Sequence, residues 1–502
     1  MDIRKVVQSR GRKMIVEALL DAAGRRANQL AVKDATRALT YGQLATFAKV
    51  IRRLVLKETG KPNVGVMLPS SAGTTGVLFG ALWSGKAVVP LNFLLQTREL
   101  AAVVADAGLD LVISTEHFKD LAAQLPVRTL FLERLNLKRH YLWEKLRRTP
   151  EPPPTRPDDV AAIIYTSGTT AQPKGVCLTQ ANLATNARDS IRHMQLEPDH
   201  HLLGVLPPFH VFGFTVLNIL PVFLGAQVTH IPRFSPVAAF QAIIKDDISV
   251  LLAVASMFGA VGRLKNIEPA HCRRLKICVS GGEPLPRAVY EEFLRRTHLT
   301  ICEGYGLTET SPVVCADMPW SHRVGTVGKA IPNVQVRLRD ADGRTVEGDE
   351  EGEICVRGPN VMKGYYQRPE ETAAVLDADG WFRTGDLGRI SPDGYISITG
   401  RAKDMIIVAG ENVYPREVES VLDKHPAVAE SAVIGQQDGS RGEVVVAYVA
   451  LREGLEVSGD ELRSYCRDHL AGFKVPRQVH VRRELPHGPT GKVLKRALRT
   501  PS

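Results

Sequence analysis

Apolar and polar positions alternate in a regular rhythm over the first 150 residues. Short apolar runs such as VGVML (64–68) and DLVIS (110–114) read as strands, and the stretches between them are helix-like. This alternation predicts α/β layering with mostly parallel strands. The segment Thr149–Asp159 (TPEPPPTRPDD) carries five prolines in eleven residues, which makes it a stiff, extended connection. After it, AAIIY (161–165) reads as a buried strand running straight into a loop of Gly, Ser and Thr. From about 325 to 400 the pattern becomes short strands broken by the turn pairs Asp342-Gly343, Asp379-Gly380 and Asp393-Gly394. Such pairs favour hairpins, hence an antiparallel sheet or small barrel. Beyond Arg401 an α+β unit is expected, with a helix near Pro415–His425, strands at Ala432–Ile434 and Val444–Leu451, a helix near Asp460–Leu470 and a basic tail. The boundary is placed at 400–404, giving a large domain 1–400 and a small domain 401–502.

Composition narrows the class. With 44% hydrophobic and 24% charged residues among 502, the chain has the make-up of a globular protein, not of a disordered, collagenous or disulfide-scaffold one. No apolar run approaches the roughly 18–20 residues of a membrane span, and MDIRKVVQSRGRK lacks the apolar stretch of a secretory signal. The seven cysteines form no C-x-x-C pair, so reduced thiols and a cytoplasmic setting are expected. The formal charge of +10 is concentrated in 470–502, where eight basic side chains face one acid. That field suits nucleic acid, anionic lipid or a phosphate-bearing small molecule. Phe473 is the lone aromatic in the tail, which argues against nucleic acid. The segment Arg134–Arg148 (RLNLKRHYLWEKLRR) is basic and amphipathic, and is expected to pack on its own domain; peripheral contact with an anionic membrane is the alternative. His200, His201, His271, His298 and His487 show no metal-ligand spacing.

The most informative segment is Tyr165–Gly175 (YTSGTTAQPKG). Its small residues let backbone N–H groups approach phosphate oxygens, its hydroxyls add donors, and Lys174 brings a mobile positive charge. The spacing differs from G-x-x-x-x-G-K-[ST], which disfavours the P-loop nucleotidases. The segment resembles the phosphate loop of the adenylate-forming superfamily, which comprises acyl-CoA synthetases, peptide-synthetase adenylation domains and firefly luciferase. Ala171 stands where that family usually has Gly. The resemblance continues in order through LTYGQL (39–44), VVPLN (88–92), PPFHVFGF (207–214), SGGEPLP (280–286), GYGLTET (304–310), GWFRTGDLG (380–388), GRAKD (400–404), GENVYPREVE (410–419) and PTGKVLKRAL (489–498).

The resemblance implies a large adenylate-forming domain of stacked α/β subdomains and a small β-barrel-like subdomain, followed by a small mobile α+β domain. It implies ATP, Mg²⁺ and coenzyme A, with an acyl-adenylate as intermediate. Thr166, Ser167, Gly168, Thr169, Thr170 and Lys174 would cradle phosphates. Tyr305 and Gly306 would lie against adenine, with Gly281, Gly282 and Glu283 on its other side. Thr308 would bond the α-phosphate, Glu309 and Thr166 would hold Mg²⁺, and Asp386 and Arg401 would bind the ribose. Lys492 resembles the catalytic lysine that bridges carboxylate and α-phosphate, where a compact ammonium can follow shifting charge. Lys403 falls at the hinge, and Ala409, Gly410 and Glu411 beside the coenzyme A channel. His210 stands where amino-acid-activating relatives commonly carry aspartate, and its neighbours Phe209, Val211, Phe212 and Phe214 are apolar. Without an acid to pair with an amine, a medium- or long-chain fatty acid is the expected substrate, with Phe214 as an aromatic gate. An acyl carrier protein is the alternative thiol partner.

Overall fold

The computed structural model describes residues 13–152, 155–166, 173–340, 342–346, 350–408, 411–438, 442–487 and 493–498. Four sheets organise them. In the first, Asn63–Met67, Ala87–Pro90, Leu111–Ser114 and Arg128–Phe131 run parallel. Every residue of Asn63–Met67 is buried, as expected of a parallel strand covered by helices on both faces. The helix Ala72–Trp83 lies against this strand and packs in turn on α1 (Tyr41–Glu58), which is opened by a capping box in which Thr40 and Gln43 exchange side-chain-to-backbone hydrogen bonds. The helix α2 (Leu137–Leu146) packs on α1 and starts at Asn136, whose side chain accepts from the Arg139 amide. The sheet is extended by β1 (Val160–Thr166) and by the antiparallel β2 (Lys174–Thr179), with Thr166 opposite Lys174.

The second sheet has nine strands, whose middle includes the parallel neighbours β3 (Ile277–Gly281) and β4 (Cys302–Gly306). The third is a five-stranded antiparallel sheet containing β5 (Phe382–Ile390) and β6 (Ile396–Arg401). The glycines of the three Asp-Gly pairs, Gly343, Gly380 and Gly394, all have φ between +81° and +87°, a turn conformation that glycine adopts without strain. The antiparallel sheet expected here forms, and among the described residues Thr345–Val346 and β6 stand at the two ends of its strand order.

One apolar core runs through the large unit and joins all three sheets, with Val64, Val279 and Ile354 in a single cluster. The third sheet ends at Arg401 and the fourth begins at Ile406. There α3 (Pro415–Leu422) and the strands Val428–Asp438 and Gly442–Leu451 enclose a separate core around Ile406, Val418, Leu422, Val433 and Val445. All seven cysteines are buried and unpaired.

Candidate active site

Three elements converge where β4 ends. Tyr305 lies on β4, Asp386 on β5 and Arg401 on β6. The Tyr305 hydroxyl donates to Asp386 Oδ2 at 2.7 Å, and Arg401 Nε pairs with Oδ1 at 2.6 Å. Asp386 is 3% exposed, so its charge is neutralised inside the fold by these two donors. Burial, followed by the neighbouring Asp386 carboxylate, pushes the Tyr305 hydroxyl well above its usual range and keeps it a donor. Arg401 stands opposite Asp386 because the β5–β6 ladder shifts register between Leu387 and Gly388.

Immediately after β4, Thr308–Thr310 form a single 3₁₀ turn. Gly306 is required before it, because a Cβ there would sit 1.9 Å from the Pro312 carbonyl oxygen. The turn presents Glu309, whose Oε1 accepts from the Tyr365 hydroxyl at 2.9 Å. Burial raises the Glu309 carboxyl above its ordinary range, and the Tyr365 bond partly offsets it. The Lys174 ammonium, at the start of β2, lies 5.3 Å from the Tyr365 ring centroid and pairs with Glu371. Tyr365 thus links the carboxylate expected to hold metal with the lysine expected to hold phosphate. Thr166 stands opposite Lys174 at the last described pair of the β1–β2 ladder.

On the other side, Gly281 ends β3, and Gly282 just after it has φ +84°. Glu283 Oε1 accepts from the Ser256 amide at 2.7 Å, tying this loop to the segment Val254–Ser256. A Cβ on Gly281 would lie 3.2 Å from the Phe212 ring, so the apolar 209–214 stretch abuts the glycine loop directly. Phe209 packs edge-on against Phe93 with centroids 4.9 Å apart, and lies beside the His210 ring at 4.8 Å. His210 precedes the helical turn Val211–Phe214. Phe214, the expected aromatic gate, is 0% exposed and belongs to the main apolar core.

Ser167, Gly168, Thr169, Thr170, Ala409, Gly410 and Lys492 lie outside the described residues, as do the side chains of Lys403 and Glu411. Reading the sequence missed Tyr365 and Glu371. The first lies in GPNVMKGYY (358–366) with nothing local to mark it as a partner of Glu309, 56 residues away in sequence.

Oxygen donors distinguish the candidate metal position. Glu309 supplies a carboxylate and Thr166 a hydroxyl, the hard ligands that Mg²⁺ takes. Among the described residues, Cys302, Asp317 and His322 bring three ligand-type atoms within 4.8 Å of one another at the start of β4. The hydrogen bond between His322 and Asp317 accounts for that closeness.

The chain matches the AMP-binding enzyme family over residues 19–366 and the AMP-binding enzyme C-terminal domain over 417–492. It is 36% identical to a feruloyl-CoA synthase of Amycolatopsis sp over 481 residues, covering 93% of this chain and 95% of that one. It is 33% identical to a long-chain-fatty-acid–CoA ligase of Bacillus subtilis over 531 residues, covering 97% and 94%. The ATP-bound crystal structure of MatB from Rhodopseudomonas palustris superposes with a TM-score of 0.88 at 29% identity, covering 97% of this chain and 98% of that one. With matching family and fold over nearly its whole length, the chain belongs to the AMP-binding enzymes, as an ATP-dependent acid–CoA ligase that works through an acyl-adenylate with ATP, Mg²⁺ and coenzyme A.

Proposed function

We propose that the acid is apolar, a medium- or long-chain fatty acid, and that coenzyme A is its thiol acceptor. The observation that carries this reading is the contact between the Phe212 ring and Gly281. It sets carbon, not a charged side chain, beside the loop that would hold the adenylate, and Phe209 and Val211 continue that apolar wall. The likeness to a long-chain-fatty-acid–CoA ligase supports it. An aromatic acid is the second reading, favoured by the rings of Phe93, Phe118 and Phe209, which stack and meet edge-on beside His210. The likeness to a feruloyl-CoA synthase points the same way.

A carboxylate is a poor acyl donor because oxide leaves badly. Its attack on the α-phosphate of ATP expels pyrophosphate and gives a mixed anhydride, from which a thiol then displaces AMP. In this scheme Asp386 and Arg401 hold the ribose, and Tyr305 with Gly281, Gly282 and Glu283 encloses adenine. Lys174, Thr308 and the loop Thr166–Thr170 hold the phosphates. Glu309 and Thr166 hold Mg²⁺, which neutralises phosphate charge. Lys492 bridges the two reacting groups and His210 lies beside the acid. Rotation of the small domain about Lys403 then brings Ala409–Glu411 to the thiol channel, so that two half-reactions share one site.

Pyrophosphate release is the test, measured with acetate, octanoate, laurate, palmitate, benzoate and ferulate, each with and without coenzyme A. The expected result is a maximum on octanoate or longer chains, with turnover only when coenzyme A is present. A maximum on ferulate or benzoate establishes the aromatic reading instead. A burst that coenzyme A leaves unchanged and an acyl carrier protein relieves overturns the choice of thiol.

A further inference from the structure

Helix α2 buries its acid and exposes part of its apolar surface. Its acid, Glu144, is buried against α1, where Lys49 Nζ and Arg53 Nε lie 3.8 Å and 3.1 Å from the carboxylate. Lys49 Nζ also donates to the carbonyl oxygens of Glu144 and Arg147, at 2.6 Å each, and so caps the end of the helix. Arg53 Nη2 lies 2.6 Å from His140 Nδ1 on the same inner face. These polar contacts join Leu137 and Tyr141, which pack against the main apolar core, in holding α2 to its own domain. The other apolar residues point away from it: Leu142 is 63% exposed, Trp143 56% and Leu146 88%. An ordinary surface helix keeps such residues in its buried stripe.

The charges beside this apolar face are of one sign. Lys138, Arg139, Lys145, Arg147 and Arg148 are all exposed, and the one acid of the helix is the buried Glu144. The Arg147 guanidinium lies 5.6 Å from the Trp143 ring centroid, so cation and indole present themselves together. No helix among the described residues is long and apolar enough to cross a membrane.

We propose that α2 is a membrane-docking helix that seats Leu142, Trp143 and Leu146 among the acyl chains of an anionic lipid surface while the five cations meet its headgroups. The charge pattern selects this occupant. A bilayer face offers continuous negative charge over an apolar interior, which matches an apolar row flanked by cations alone. Tryptophan favours this interface, where its ring is apolar and its N–H stays wet. A protein partner would call instead for a mixed polar rim with acceptors as well as donors. The inference stands on α2 and α1 alone and holds whichever acid the active site takes.

Flotation of the full chain with phosphatidylcholine vesicles, and with mixed phosphatidylcholine–phosphatidylglycerol vesicles, tests it. Binding to the anionic vesicles should exceed binding to the neutral ones by about tenfold or more and fall as salt is raised. Leu142→Ser/Trp143→Ser/Leu146→Ser should abolish flotation, and Lys138→Glu/Arg139→Glu/Lys145→Glu should abolish its preference for anionic lipid. Both variants change exposed side chains, so pyrophosphate release with a soluble acid should stay at the parent level in the absence of vesicles. Equal flotation of the parent and the triple serine variant overturns the proposal, as does failure of the parent to bind anionic vesicles. A parent dimer that the serine variant converts to monomer also overturns it, because the face would then be an interface between two copies of this chain.

Discussion

Replacing Asp386 by alanine separates its binding role from its structural one. Two effects are expected, of different size. In the protein alone the substitution leaves the Tyr305 hydroxyl and the Arg401 guanidinium without the carboxylate that bridges them. Removing one member of a fully buried ion pair costs about 3–5 kcal/mol. Here the Arg401 side chain is 45% exposed and can turn to water, so about 1–3 kcal/mol is the expected loss. In the nucleotide complex a carboxylate accepting both ribose hydroxyls supplies two charge-assisted hydrogen bonds, each about 1.5–3 kcal/mol. Their loss should raise the KM for ATP by about 10²–10⁴-fold in pyrophosphate exchange, where every 1.4 kcal/mol is tenfold. Asp386→Asn keeps the shape and one acceptor, so it should fall between parent and alanine in both readouts. Thermal denaturation gives the first quantity and pyrophosphate exchange the second. A lowered melting temperature with an unchanged KM for ATP would refute the ribose role and leave Asp386 as a clamp between β4, β5 and β6.

Lys492→Ala should depress adenylation by about 10²–10³-fold while thioester formation from supplied acyl-AMP continues; equal loss of both steps removes the bridging role. Phe214→Ala should cost about 3–5 kcal/mol in denaturant unfolding and leave chain-length preference alone, because the ring is wholly buried; a changed preference with little lost stability would establish the gate instead. Burial, reinforced by Glu419 and Glu430 and opposed by Ser431, pushes the Asp423 carboxyl from 3.8 up to about 7. A raised carboxyl favours the fold fully below pH 3.8 and loses that contribution as pH rises to about 7. Asp423→Asn should therefore match the parent at low pH and exceed it at pH 8 by up to about 4 kcal/mol, read from urea unfolding at each pH; parallel pH profiles would show that Asp423 ionises normally.

Local chemistry made much of the fold legible in the sequence. The unbroken apolar run in Asn63–Met67 and the Asp-Gly pairs of the third sheet depend on neighbours a few residues away, and they appear where the pattern places them. Partnerships across long stretches of chain did not show. Nothing near Lys174 announces Glu371, and nothing in Arg134–Arg148 announces that Lys49 and Arg53 draw Glu144 inward. Phe214 illustrates a second obstacle. Every residue from Gly213 to Ala226 is buried, so apolar periodicity cannot separate a side chain that lines a site from one that fills the core behind it.

The β5–β6 hairpin shows how much can hang on one residue. From Ile390 opposite Ile396 to Gly388 opposite Ile398 the ladder is regular. Continued unchanged, it would set Gly400 opposite Asp386. Instead one extra residue, Thr399, enters the β6 side, and Leu387 meets Gly400 while Asp386 meets Arg401. A bulge of this kind re-aims a side chain beside an active site. Gly388 permits the close approach, since a Cβ there would come within 2.5 Å of the Ser397 carbonyl oxygen. The ion pair between Asp386 and Arg401 is thus set by strand register, and it lies five residues before the next sheet begins at Ile406. Arg401, proposed to bind the ribose, thus holds the last position of the third sheet. Any rotation of the small domain that starts beyond it, at Lys403, leaves the pair in place and carries only the fourth sheet and its helices.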